Sequence, residues 1–258
     1  MEEENKEITR REAIKRIGTA AAGFGLGVGG ATALGNVFGN SYNDRKMKVL
    51  LVNGSPHKEG CTYTALSEIA STLSKNGVES DFMWLGTSPI AGCIACGSCR
   101  QTGKCFRNDV VNEFIEKIPE YDGFIFGTPV HFASATGAMT AFMDRAFFAG
   151  SFYGKKLAGK PGATIASCRR AGSTATLDQM NKYIVFSNMP MVPSQYWNMV
   201  HGNTPDEVRQ DREGLQIMRT LGQNMAWMLK CIEAGRQLGI EPPISVSYTH
   251  LRAHETVL

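Results

Sequence analysis

Met47-Lys-Val-Leu-Leu-Val-Asn53 is the stretch that most narrows what this chain can become. Val49 to Val52 is an unbroken apolar run without the polar alternation of a half-exposed strand. It describes a strand covered on both faces, as in a parallel sheet. Gly54 ends the run, and Gly54-Ser-Pro-His-Lys-Glu-Gly-Cys-Thr-Tyr-Thr64 follows. A helix is predicted next, from about Tyr63 to Lys75. A strand, a loop of Gly, Ser and Thr, and a helix N-terminus form an anion site. Free backbone N–H groups and the helix dipole face the loop, and hydroxyls add donors. No G-K-S/T sequence closes the loop, so it is not a Walker A cradle and suits a monophosphate. An ordinary turn between strand and helix is the plain alternative.

The same alternation continues. Val78 to Leu85 reads as a second strand. Asp109 caps a helix through Ile118, with Val110, Phe114 and Ile118 on one face. Asp122 to Thr128 is a third strand, with the loop Pro129–Ser134 at its C-terminal end. A helix then runs to about Phe148 and buries Ala138, Met139, Phe142, Met143, Ala146 and Phe147. Gly162 to Ser167 is a fourth strand and Cys168–Ser173 its loop. Thr174 to Phe186 is helical, and a fifth strand starts at Met191–Pro193. Leu215 to Leu238 is a long last helix, with Leu221, Met225, Met228 and Ile232 on one face. Strands alternating with helices predict an α/β doubly wound parallel sheet. Ligands of such sheets sit at the C-terminal ends of the strands. Loops 54–64, 129–134 and 168–173 therefore meet at one edge.

Four of the seven cysteines fall within thirteen residues, in Cys93-Ile-Ala-Cys96-Gly-Ser-Cys99-Arg-Gln-Thr-Gly-Lys-Cys105. Thiolates are soft ligands, and four at this spacing suit a compact [4Fe–4S] cluster. Gly97 and Gly103 free the backbone to wrap it. Zinc, disulfides and unliganded thiols are the competing readings; structural zinc more often pairs two C-x2-C knuckles across a long spacer. Cys61, Cys168 and Cys231 are dispersed and read as buried or incidental thiols. Asp144 and Arg145 read as helix-surface or intersubunit contacts. The net charge of +3, with dispersed basic residues, gives no footprint for nucleic acid.

Taken together, Gly54-Ser-Pro-x-x-x-Gly-x-Thr62, Gly127-Thr-Pro-Val-His-Phe132 with Phe142-Met-Asp-Arg145, and Ser194-Gln-Tyr-Trp-Asn-Met-Val-His-Gly202 resemble the flavodoxin-like NADPH-dependent FMN reductase family. The four cysteines after the second strand resemble its iron–sulfur flavoprotein branch. The resemblance covers about residues 47–240. It implies strand order 2-1-3-4-5 and FMN, with phosphate at Ser55, His57, Thr62, Tyr63 and Thr64. It places the flavin ring against Pro129, Val130, His131, Phe132 and Ser134, and against Arg170, Ala171, Gly172 and Ser173. It assigns a [4Fe–4S] cluster to Cys93, Cys96, Cys99 and Cys105, with NAD(P)H as a co-substrate. It further implies a homo-oligomer that passes electrons between a reduced donor and an acceptor. An NAD(P)H-dependent FMN or quinone reductase without a cluster, and a flavodoxin-type carrier, are the alternatives.

The two ends read differently from this domain. Residues 1–40 carry Arg10-Arg11, then a Gly- and Ala-rich uncharged stretch from Ile17 to Leu34, then Ala31-Thr-Ala33 as a cleavage site. That order is a secretory signal, and the arginine pair makes it resemble a twin-arginine signal. It predicts export of the folded protein. Gly25-Leu-Gly-Val-Gly-Gly30 satisfies G-x-G-x-x-G, but no strand precedes it, so it is not read as a dinucleotide site. Val246 to Thr256 resembles the translation of a sequencing-library adapter. Residues 246–258 are therefore left out of the fold, and His250 and His254 are not read as metal ligands.

Overall fold

The computed structural model describes residues 46–153 and 156–243. The twin-arginine segment, the apolar stretch after it and the adapter-like tail lie outside the described residues.

The strands are β1 (Lys48–Asn53), β2 (Glu79–Trp84), β3 (Gly123–His131), β4 (Ser134–Ala135), β5 (Gly162–Cys168) and β6 (Met199–His201). They form one sheet in the order β2-β1-β3-β5-β6, parallel throughout, with the two-residue β4 folded back antiparallel on the end of β3. Apart from β4, this is the doubly wound order 2-1-3-4-5. The helices are α1 (Cys61–Lys75), α2 (Cys99–Thr102), α3 (Val110–Lys117), α4 (Gly137–Phe147), α5 (Ser173–Phe186), α6 (Pro205–Gln210) and α7 (Arg212–Gln237).

The side-chain period of two divides β1 between two cores. Val49 and Leu51 point into the layer of α1 and α7, against Leu66, Ile69, Leu221 and Met225. Leu50 and Val52 point into the other layer, with Phe114 of α3 and Phe142 and Met143 of α4. Each of these four β1 side chains is at most 1% exposed. Burial of such a side chain stabilises by roughly 1.5–3 kcal/mol, which fixes the register of the central strand. Phe114 meets Phe124, Phe126 and Phe142 edge-on, at centroid distances of 5.7, 5.8 and 5.3 Å. This aromatic cluster anchors α3, and with it the C-terminal end of the cysteine loop.

Several boundaries differ from the sequence reading. The fifth strand does not begin at Met191, which makes only an isolated bridge to Gly162. Pro190 and Pro193 flank it without N–H donors, and so no ladder can extend there. The fifth parallel strand is β6, which pairs Ala166 with Met199 and Cys168 with His201. β3 runs three residues further than expected, to His131, and takes in part of the presumed loop. α6 was not anticipated, although Thr204-Pro-Asp-Glu207 carries its signal: the Thr204 hydroxyl accepts from Glu207 N at 3.2 Å. α7 starts at Arg212 behind Asp211, whose carboxylate accepts from Gly214 N at 2.9 Å. Ile232 of α7 is exposed, and Ala138, expected to be buried, is half-buried. Among the described residues no helix is long and apolar enough to cross a membrane.

Candidate functional site

The loop after β1 is held open by its own polar groups. Asn53 is buried; its Oδ1 accepts from Ser55 N and its Nδ2 donates to Lys58 O, both at 3.0 Å. The Ser55 hydroxyl accepts from His57 N at 3.1 Å, and Trp84 Nε1 donates to Ser55 O at 2.8 Å. Gly54 N donates to Gly127 O at 2.8 Å. A Cβ on Gly54 would lie 2.8 Å from Met139 Sδ and 3.2 Å from that carbonyl, so a larger residue would force its neighbours at this crossing to shift. Gly60 opens α1 with no side-chain cap. Among the described residues, the first N–H groups of α1 therefore have no acceptor from the helix or from a capping side chain. An uncapped helix start below a Ser-bearing loop fits a phosphate group.

The expected phosphate residues are not equivalent. Ser55 lies on the loop, and His57 is exposed there. Thr62 is fully buried, and its hydroxyl meets Ser167 Oγ at 2.8 Å, so it offers the loop a backbone N–H rather than a free hydroxyl. The Thr64 hydroxyl turns back to donate to Gly60 O at 3.2 Å. The Tyr63 ring packs on Phe82 with centroids 5.0 Å apart. Asn53, which organises the loop, was not singled out from the sequence; an Asn ending a buried strand before Gly-Ser was its only signal.

The second part of the edge is a tight hairpin. β3 pairs His131 with Ser134 of β4, leaving Phe132 and Ala133 as a two-residue turn at φ of 51° and 57°. Both are left-handed, the arrangement that favours Asn-Gly, so the turn stores strain. Gln179 of α5 holds it: its Oε1 accepts from Ser134 Oγ at 2.7 Å and from Ala135 N at 3.1 Å. Gly172, at φ of 89°, packs under the turn, where a Cβ would lie 2.6 Å from Ala133 Cα. Phe132 projects fully into solvent, and His131, Arg170 and Ala171 are exposed beside it. Pro129 and Val130 are half-buried. Ser173 is buried, with its hydroxyl 3.1 Å from Met199 Sδ. Cys168 Sγ lies 3.4 Å from His201 Nδ1, and burial pushes its thiol pKa up.

The cysteine run wraps one cavity. Cys93, Cys96, Cys99 and Cys105 all line it, together with Arg107, Arg145 and Phe148. Cys93 and Cys96 are exposed, Cys105 is half-buried and Cys99 is buried. Left-handed residues at Ala95, Gly97 and Gly103 curl the loop. The Ser98 hydroxyl lowers the Cys96 thiol pKa, whereas burial raises that of Cys99. Among the described residues, no three Cys, His, Asp or Glu side chains gather closely enough to ligate a single metal ion. Asn112 clamps Cys105: Oδ1 accepts from Cys105 N at 2.9 Å and Nδ2 donates to Cys105 O at 2.8 Å.

Arg145 is not the surface contact that the sequence suggested. Its side chain is 1% exposed and forms a two-pronged ion pair with Asp109, at 2.7 and 2.9 Å. Nε and one terminal nitrogen point to Cys105 Sγ at 3.3 and 3.2 Å, and further N–H groups reach Ala91 O and Arg107 O. Burial disfavours the Arg145 charge, but Asp109 and Cys105 more than offset it and raise its pKa. The planar fork of Arg suits this work; a lysine could not reach all these acceptors at once. Asp144, next to it, accepts from the Tyr183 hydroxyl. From sequence alone Asp109 was legible as a helix cap, and it does accept from Val111 N at 3.1 Å. Its second role depends on α4 arriving from 36 residues downstream.

A parallel doubly wound sheet, an uncapped helix start after β1 and two interlocked loops at the same edge define a flavodoxin-like flavin-binding protein. The chain belongs to the NADPH-dependent FMN reductase family, whose sequence profile matches residues 47–204. It is a flavin-dependent oxidoreductase, and FMN is the flavin of the family. It is 30% identical over 194 residues to an iron-sulfur flavoprotein of Methanocaldococcus jannaschii, a match covering 72% of this chain and 100% of that one. A second iron-sulfur flavoprotein, from Methanosarcina thermophila, is 24% identical over 192 residues, or 74% of this chain and 99% of that one. Among solved structures, a flavodoxin, WrbA-like protein from Agrobacterium tumefaciens shares the fold, with a TM-score of 0.52 at 12% identity over 72% of this chain and 99% of that one.

Proposed function

We propose that the chain is an iron–sulfur flavoprotein that moves electrons between a reduced donor, NAD(P)H or a ferredoxin-type carrier, and an acceptor. FMN supplies exchange between two-electron and one-electron partners, and a [4Fe–4S] cluster supplies single-electron transfer. The observation that carries this reading is that all four cysteines of loop 93–105 line one cavity beside a buried arginine.

The chain's own residues then divide the work. The N–H groups at the start of α1 and the Ser55 hydroxyl bind the FMN phosphate. The hairpin at Phe132–Ala133 and the loop at Arg170–Gly172 bound the ring. Asn112 and Arg145 hold Cys105 against the cavity wall. Exposed apolar side chains at Phe132, Val185 and Phe186 support a homo-oligomer. Arg10-Arg11 and the apolar stretch after it support export by the twin-arginine route.

The test is Cys99→Ser, which replaces a soft ligand with a hard one. The variant is expected to lose most of its iron and sulfide while keeping FMN and its fold. Full retention of iron and sulfide would remove Cys99 from the ligand set. Absence of sulfide from the unmutated protein would favour an FMN or quinone reductase without a cluster.

A further inference from the structure

Two arginines border the four-thiol cavity, and they differ in one respect. Arg145 directs its guanidinium to Asp109, Cys105 Sγ and two backbone carbonyls. Those contacts engage every one of its nitrogens, so it has little left to give a ligand. Arg107 also lines the cavity, but its Nε is buried and has no hydrogen-bond partner among the described residues. Burying an N–H donor without an acceptor is costly, and native proteins rarely leave one so. The position of Arg107 is nevertheless well fixed. Its carbonyl accepts from Asn112 Nδ2 at 3.1 Å and from Arg145 at 3.4 Å, and its guanidinium stacks over the Phe106 ring at 5.0 Å. A donor buried, held in place and left unpaired at the wall of a thiol-lined cavity has the form of a contact awaiting its acceptor.

We propose that Arg107 is that contact: its Nε–H donates to a sulfur of the cluster held by Cys93, Cys96, Cys99 and Cys105, and its charge favours the reduced state. This inference rests on the iron–sulfur reading of the cavity. One-electron reduction adds one negative charge to the group, and a cation and a hydrogen-bond donor at its edge stabilise the more negative form. Arg107 therefore sets the reduction potential, whereas Arg145 sets the shape of the loop. The sequence offers no sign of this role, because Arg100, next to Cys99, lies closer to the cysteines than Arg107 does.

The test is a redox titration of the anaerobically purified full chain, followed by electron paramagnetic resonance, with iron, sulfide and FMN counted in each sample. Arg107→Gln is expected to keep iron, sulfide and FMN and to lower the reduction equilibrium constant at least tenfold, a fall of about 59 mV for one electron. Arg107→Lys keeps the charge and loses the planar donor, so its potential is expected between the two. Potentials unchanged in both variants, with the cluster retained, would overturn the proposal. If Arg107→Gln loses iron, the lysine variant decides: a potential equal to that of the unmutated protein overturns the proposal, and a lowered one upholds it. Absence of sulfide from the unmutated chain would overturn the iron–sulfur reading itself, a result distinct from unchanged potentials in an intact cluster.

Discussion

Replacing Arg145 with Met removes the guanidinium that ties α4 to the cysteine loop. Met is unbranched and nearly as good a helix former as Arg, so α4 itself is not the weak point. The change leaves the Asp109 carboxylate, Cys105 Sγ and the carbonyls of Ala91 and Arg107 without their shared donor. Breaking a buried ion pair by removing one partner costs about 3–5 kcal/mol. Asp109 is 32% exposed, and water reaching it moves the expected loss to the lower end, about 3 kcal/mol. For a domain of this size that loss lowers Tm by about 6–12 °C. The assay is urea unfolding of metal-free protein, followed in parallel by circular dichroism and flavin fluorescence; coincident transitions license a two-state treatment. Asp109→Asn completes the cycle, because it keeps an oxygen to cap Val111. The double variant is expected to cost clearly less than the sum of the two single variants. A loss below about 1 kcal/mol in Arg145→Met, or strict additivity, would refute the tie between α4 and the loop.

Gly172→Ala forces a Cβ to within 2.6 Å of Ala133 Cα at a left-handed position. The hairpin should shift and FMN affinity should fall at least tenfold; unchanged affinity would take the hairpin away from the flavin. Thr62→Val leaves Ser167 Oγ buried without its partner, at about 1–3 kcal/mol of stability. FMN affinity should hold in that variant, and a large loss of affinity at unchanged stability would return the hydroxyl to the phosphate. Arg10→Lys together with Arg11→Lys should leave folded, cofactor-bound protein in the cytoplasm; unchanged export in a fractionation assay would rule out the twin-arginine route.

What could be read in the sequence was what depends on local pattern. The apolar run 49–52 announced a strand covered on both faces, and its alternation with amphipathic segments announced the parallel sheet. Asp109 before Val110 was legible as a cap. The thiol spacing put four cysteines in one loop, and the fold brings all four to one cavity. What escaped was set by partners distant along the chain. The Thr62 hydroxyl looked free for a phosphate until β5 brought Ser167 to it, which leaves Thr62 its backbone N–H. Arg145 looked like a surface residue until the cysteine loop covered it. β6 was misplaced because Met191-Val192 has strand composition, whereas the pairing partner of Ala166 is Met199. The strain at Phe132-Ala133 had no local signal either, since neither residue favours a left-handed turn. Only Gln179 and Gly172, from the next unit of the fold, explain how the turn is held.

The central claim is that one chain carries both a flavin and a cluster. The measurement that tests it most directly is an absorption spectrum of anaerobically purified full-length protein, with iron, acid-labile sulfide and FMN counted on the same sample. The account predicts one FMN with about four iron and four sulfide per chain, and a broad absorbance near the flavin bands that bleaches on reduction. FMN with stoichiometric zinc and no sulfide, or FMN with no metal at all, would contradict it.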